Sequence, residues 1–195
     1  MKFEQIFKKI YNNFMKKIAN EAVKIASGTT KTGKNTRRIM GIDPGLASTG
    51  WGIIDFDGIR FSLVDYGCIE TKNTVEHANR LVEIYDTLQS QIDFYNPTES
   101  SMETLYFAKN VTSAMGVAEA RGVVTLCLAK NNLHLGEYTP NTIKQSVTGT
   151  ATADKKLVQN CVKLLLGMDH IPKPDHAADA LAAAITHANS SVIAV

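Results

Sequence analysis

Arg38-Ile39-Met40-Gly41-Ile42-Asp43-Pro44-Gly45 leads through a Ser-Thr-Gly cluster into Thr49-Gly50-Trp51-Gly52-Ile53-Ile54-Asp55. An apolar run ends on an aspartate, a Pro-Gly turn follows, and a second apolar run begins. The pattern predicts strand, sharp turn, strand, with Asp43 at the exposed end of a buried first strand. A carboxylate held at the end of a rigid strand is well placed for a hard cation such as Mg²⁺. An Asp before Pro-Gly is equally at home as a plain turn residue. Only further acids brought beside it would separate the two readings.

Downstream, Asp57-Gly58 predicts a hairpin turn into a third strand over Ile59 to Glu70. Leu81, Tyr85, Leu88, Ile92 and Tyr95 mark a helix that stops before Pro97. Ser100 to Leu105 reads as a fourth strand. Asn110 then caps a long helix with an apolar stripe at Val111, Ala114, Met115, Ala118, Gly122, Thr125, Leu126 and Ala129. His134 to Tyr138 is a fifth strand, and Pro140 opens a short helix carrying Ile143, Lys144 and Val147. Asp154 to Leu166 is a helix closed by Gly167, and a last, alanine-rich helix spans Asp175 to Asn189. Three strands joined by tight turns, then strands alternating with helices, predict an α/β fold: a five-stranded mixed sheet with helices on both faces.

The totals fit one domain with an appendage: 195 residues, 44% hydrophobic and 21% charged. No apolar run reaches the ~20 residues of a membrane span, so no membrane is expected for the core. Cys68, Cys127 and Cys161 are isolated in sequence and read as buried, reduced thiols of an intracellular protein. The net charge of +2 conceals a division. Residues 1–38 hold ten Lys and Arg against two Glu, a balance of +8, whereas the other 157 residues hold eleven against seventeen, a balance of −6. Residues 1–37 thus read as a basic extension on a domain of residues 38–195. Phe3, Ile6, Phe7, Ile10, Phe14 and Ile18 fall at helical spacing among lysines, and residues 27–36 read as a linker. A docking helix, a DNA-contacting arm and an organelle-targeting peptide all fit that pattern.

Glu103 falls mid-strand in a segment expected to be central, where an acid is costly unless paired, hydrogen-bonded or metal-bound. A side chain facing solvent is the plainer alternative. His176 and Asp179, at i and i+3, share one face near the start of the last helix. There the plainer reading is a helix-start carboxylate favoured by the dipole. Taken together, three carboxylates and one imidazole suit Mg²⁺ or Mn²⁺ better than structural Zn²⁺. Acids far apart in sequence, each on a regular element, are what a two-metal phosphodiesterase needs.

Met40 to Ile54, Met102 to Asn110, Ala118 to Gly122, Val147 to Gly149 and His176 to Ala182 resemble, in order and spacing, the RuvC family of Holliday-junction resolvases. The resemblance runs from about residue 38 to 189. It implies a ribonuclease H-like fold, a homodimer, and paired nicking of four-way DNA junctions in recombination and repair. It also implies two Mg²⁺ per active site with Mn²⁺ as a substitute, the RuvA–RuvB branch-migration complex as partner, and a bacterial cytoplasmic setting. A mitochondrial or other organellar setting would follow instead if residues 1–37 were a targeting peptide. By position, Asp43, Glu103, His176 and Asp179 fall on the family's metal ligands, and Lys144 and Lys155 on its DNA-phosphate lysines. Tyr106 falls on the aromatic that enters the junction centre. Lys109 belongs with Arg121, Lys144, Lys155, Lys156 and Lys163 to the core's positive charge and is a further DNA-binding expectation.

Two departures bear on the chemistry. Many relatives carry Asp where His176 stands, so the ligand set here is one charge less negative; neighbouring Asp175 is a substitute that points about 100° away on the helix. Ala151 replaces a second Gly in the loop after Gly149, which stiffens it. Three other classes compete. Actin-like and sugar-kinase ATPases share the opening motif but need two related domains. Another hydrolase on the same fold, or a non-catalytic junction binder, would differ in substrate or in metal-dependent cleavage.

Overall fold

The computed structural model describes residues 36–105 and 111–190, with side chains from 114 onward in the second stretch. Residues 1–35 and the expectations placed on Tyr106, Lys109 and Asn110 lie outside the described residues. The elements run β1 (Arg37–Asp43), β2 (Ser48–Phe56), β3 (Phe61–Glu70), α1 (His77–Tyr95), β4 (Glu99–Glu103), α2 (Val111–Lys130), β5 (Leu135–Tyr138), α3 (Pro140–Thr148), α4 (Lys155–Leu165) and α5 (Asp175–Ser190). The five strands form one sheet in the order β3-β2-β1-β4-β5. β1, β2 and β3 pair antiparallel, while β4 runs parallel to β1 and β5 parallel to β4.

Local chemistry sets these boundaries. Asp57 accepts hydrogen bonds from the Ile59 and Arg60 amides, and Gly58 takes a φ of +94° between them. That turn consumes Ile59 and Arg60, so β3 starts at Phe61 rather than Ile59. α1 ends on Asn96, whose positive φ of 49° suits asparagine. At α3, the Thr139 side chain accepts from the Thr142 amide and Pro140 fills the first turn. At the start of the domain Arg37 already pairs with Phe56 and forms an ion pair with Glu99, so the folded core begins one residue earlier than the charge division implies.

Strand alternation divides the core. From β1, Ile39 packs against the α3, α4 and α5 side of the sheet, whereas Met40 and Ile42 pack against α1 and α2. On the first side, α5 lies directly on β1 and β2, and glycine makes this approach possible. A Cβ on Gly41 would stand 1.9 Å from the Ala180 carbonyl oxygen, and one on Gly50 would stand 2.1 Å from that of His176. The buried alanines of α5 complete the fit from the helix side. This close packing carries the first turns of α5 to the end of the sheet where β1 finishes.

Three expectations need correction. Glu103 ends β4 instead of lying within it: beyond Met102 the neighbouring β1 reaches Asp43 and turns away at Pro44, which has no amide to pair. The α2 stripe expected to face the core does not. Ala120, Val124, Cys127 and Leu128 are buried, while Met115 and Leu126 are 61% and 56% exposed. α2 is apolar around most of its circumference, so its periodicity does not choose a face. Cys68 is only half-buried, whereas Cys127 and Cys161 are buried, and all three are free thiols.

Candidate active site

β1 and β4 are parallel neighbours with Ile42 opposite Met102, so Asp43 and Glu103 leave adjacent strand ends on the same face. That face is the one covered by α5. His176 is the second residue of α5, and its Nδ1 lies 2.7 Å from Asp43 Oδ2. With the Asp43 carboxylate as acceptor, Nδ1 is the donor, and Nε2 is the ring nitrogen turned away from Asp43. Asp179, one turn further on, accepts from Lys155 Nζ at 3.0 Å, and the same ammonium lies 3.3 Å from Asp175 Oδ2. Gln159 Nε2 donates to the other oxygen of Asp175 at 3.0 Å. Asp175 is therefore engaged away from Asp43, in keeping with its different helix face.

Lys155 is the first residue of α4, whose amino end is capped by Asp154 accepting from the Leu157 amide at 2.7 Å. Lys144 projects from α3. Glu103, Asp179, Lys144 and Lys155, with Ile143 and Val158, line a cleft of about 200 Å³. The cleft therefore has one acid from β4, one acid from α5, and two lysines from α3 and α4.

Burial pushes the Asp43 carboxyl above the usual range, and the nearby Asp179 charge adds to the rise, against the hydrogen bond from His176 that pulls it down. Glu103 is raised in the same way, by burial first and then by the charges of Asp43 and Asp179. For Lys155, burial works against its charge, but the hydrogen bonds and charges of Asp179 and Asp175 outweigh it and raise the ammonium's pKa. The site thus holds more negative charge than its own partners neutralise.

Arg121 shares its charge with the lysines expected to face DNA, but it acts differently. Its Nη1 donates to the Glu103 carbonyl oxygen at 2.6 Å, and its Nη2 pairs with Glu137. The guanidinium crosses from α2 to clamp the ends of β4 and β5, which fixes the backbone that carries Glu103. Arg121 is the one arginine of α2, but nothing local in the sequence points it to the β4 and β5 ends rather than to DNA.

The structure thus brings Asp43, Glu103, His176, Asp179, Lys144 and Lys155 to one end of the sheet. Three carboxylates and an imidazole match the donor chemistry of Mg²⁺ or Mn²⁺. The raised Asp43 and Glu103 carboxyls are the observation that a bound cation would relieve. Among the described residues, however, no three His, Cys, Asp or Glu side chains gather closely enough to hold a metal ion. The donors are instead engaged with partners in the protein, Asp43 with His176 and Asp179 with Lys155.

Known proteins resemble this chain in sequence and in fold. The family profile described as crossover junction endodeoxyribonuclease RuvC matches residues 39–187. A Treponema denticola protein named crossover junction endodeoxyribonuclease RuvC is 56% identical over 157 residues, covering 80% of this chain and 88% of that protein. The solved Thermus thermophilus RuvC in complex with Holliday junction substrate superposes with a TM-score of 0.78 at 27% identity, over 81% of this chain and 96% of that one. The yeast mitochondrial Holliday junction resolvase Ydc2 shares the fold, with a TM-score of 0.57 at 13% identity over 82% of this chain and 83% of that one.

Proposed function

The chain belongs to the RuvC family of crossover junction endodeoxyribonucleases, and from that premise we propose that Asp43, Glu103, His176 and Asp179 form its active site. Its substrate is the four-way DNA junction, and its reaction is hydrolysis of one phosphodiester per subunit. The observation that carries this reading is the convergence of acids from β1, β4 and α5 at one end of the sheet, beside a lysine-lined cleft.

Asp43, Glu103 and Asp179 would hold two Mg²⁺ ions, with Mn²⁺ as a substitute. When bound, such ions supply an activated water and charge neutralisation at the leaving oxygen. His176, oriented by its Nδ1 contact with Asp43, presents Nε2 as a ligand or as the group that positions the water. Lys144 and Lys155 line the cleft, and their charge would favour a DNA phosphate there. Tyr106 serves at the junction centre by resemblance to the family, and Lys109 is a further DNA-binding residue.

A homodimer fits the surface of α2. Met115, Ala118, Gly122, Leu126 and Ala129 are exposed along one side of that helix, and a Cβ on Gly122 would touch nothing within 4 Å. A small-residue apolar face of this kind lets a second copy approach closely. Two-fold symmetry then places two equivalent sites across the junction and yields paired nicks at symmetric positions. The RuvA–RuvB complex and a bacterial cytoplasmic setting belong to the same reading. No helix among the described residues is long and apolar enough to cross a membrane.

Cleavage of a labelled four-way junction, with plain duplex as control and with Mg²⁺ or EDTA, tests the assignment. Paired, Mg²⁺-dependent nicks in the junction alone are expected. Junction binding without cleavage would favour a non-catalytic binder, and cleavage of plain duplex another nuclease on this fold.

A further inference from the structure

Lys155 stands where a cation is wanted. Its ammonium is 3.0 Å from Asp179 Oδ2 and 3.3 Å from Asp175 Oδ2. These two acids lie at i and i+4 on α5, on one side of the helix, so they clasp a single charge between them. Gln159 donates to the remaining oxygen of Asp175 and steadies the outer half of the clasp. Asp175 is therefore neither a spare ligand nor an idle helix-start acid.

The clasp has a consequence for the acid cluster. Asp179 meets Lys155, and no three donors among the described residues close around a common point. The ammonium is half exposed on a long, flexible stem, while the backbone at its root is fixed by the Asp154 cap. It can leave Asp179 without moving α4. A divalent ion and this ammonium would draw on the same Asp179 oxygen.

We propose that Lys155 is an internal cation that competes with the divalent metal for Asp179 and, clasped by Asp175, keeps the DNA-free enzyme weakly loaded. This inference rests on the reading of Asp43, Glu103 and Asp179 as the metal-holding acids. It gives Asp175 a role as the residue that parks the lysine, and it makes metal affinity a property of Lys155 as well as of the ligands.

The test is Mn²⁺ binding to the full-length, DNA-free protein, followed by the decline of the paramagnetic resonance signal of free Mn²⁺. Lys155→Met should bind Mn²⁺ about 1.5- to fivefold more tightly than wild type, the range of an exposed ion-pair interaction. Lys156→Met removes the same charge one residue along α4, so it should bind as wild type does. Lys155→Arg keeps a cation in place and should keep affinity low. Asp43→Asn should weaken binding in either background. If Asp43-dependent Mn²⁺ binding is equally strong in wild type, Lys155→Met and Lys156→Met, the competition is overturned while the metal site stands. If binding does not depend on Asp43 in any variant, the metal-site reading fails and the inference falls with it.

Discussion

Asp43 and Glu103 end two parallel, hydrogen-bonded strands one residue past the pair Ile42 and Met102, and both carboxyls are held above the usual range by burial. Asp179 adds to both by repulsion, and the Asp43 charge adds to Glu103. A fold that places acids in this way opposes its own stability in order to present them. The arrangement makes sense where a cation is to be bound.

The first prediction follows from the sign of those shifts. In the folded state the two carboxyls hold protons more tightly than in the unfolded chain. Metal-free stability should therefore fall as pH rises from the ordinary carboxylate range through the raised folded values. Asp43→Asn or Glu103→Gln should remove that penalty and so stabilise the metal-free protein above the window. In a thermal melt in EDTA at neutral pH each variant should therefore melt above wild type. The same variants should lose about 10²-fold or more in Mg²⁺-dependent junction cleavage while still binding junctions. A destabilised Asp43→Asn with wild-type cleavage would remove Asp43 from the site.

His176 predicts an effect on rate. Its Nδ1 faces Asp43 at 2.7 Å, so Nε2 is the nitrogen left to meet a metal ion or a water. His176→Ala should therefore slow Mg²⁺-dependent cleavage without weakening junction binding. His176→Asp supplies an oxygen donor in place of the imidazole and should keep substantial activity. Equal rates in His176→Ala and wild type would reduce the residue to helix packing.

How much of the molecule is legible in its sequence depends on the range of the interaction. β1, its Pro-Gly turn and the alanine-rich α5 are local patterns, so their place and the direction of Asp43 follow from sequence. His176 and Asp179 follow from helical spacing. The face of α2 does not, because apolar residues encircle it and only tertiary packing selects Val124 over Leu126. Nor do the partners of the cations. Arg121 meets the carbonyl of a residue 18 positions upstream, and Lys155 meets an acid 24 positions downstream, across separate elements. Positive charge in a sequence does not announce whether its partner is a phosphate or the protein itself.

The exposed side of α2 yields a prediction about assembly. Gly122 has open space beyond it, and Glu is a better helix former than Gly by about 0.5–1 kcal/mol. Gly122→Glu should therefore leave the monomer folded while placing like charges at the centre of a symmetric contact. Sedimentation velocity should show a shift from dimer to monomer, and junction products should change from paired nicks to single nicks. An unchanged dimer would mean that the two copies meet elsewhere.

Arg121 separates positioning from phosphate binding. Its side chain is largely buried against the Glu103 carbonyl and Glu137. Arg121→Met should cost about 1–3 kcal/mol of stability through the carbonyl left without its donor. It should slow cleavage while leaving junction affinity and its salt dependence in place. A weaker affinity with a flatter salt slope would identify Arg121 as a phosphate-binding residue.

The basic leader carries the last prediction. The domain it precedes has a net negative balance, and a polyanion approaching that domain gains from any attached cationic segment that reaches it. If residues 1–35 neutralise phosphates, deleting them should lower the slope of log affinity against log salt by about 0.9 for every phosphate no longer neutralised on duplex arms. The deletion must stop before Arg37, because that residue belongs to β1 and to the ion pair with Glu99. Binding to junction and plain duplex should then weaken together, with cleavage positions unchanged, because the proposed active site lies in the domain and not in the leader. An unchanged slope would exclude the DNA arm and leave a docking helix or a targeting peptide. A fluorescent fusion of residues 1–35 in a eukaryotic cell divides those two: organelle import marks the targeting peptide, and a diffuse cytosolic signal marks the docking helix.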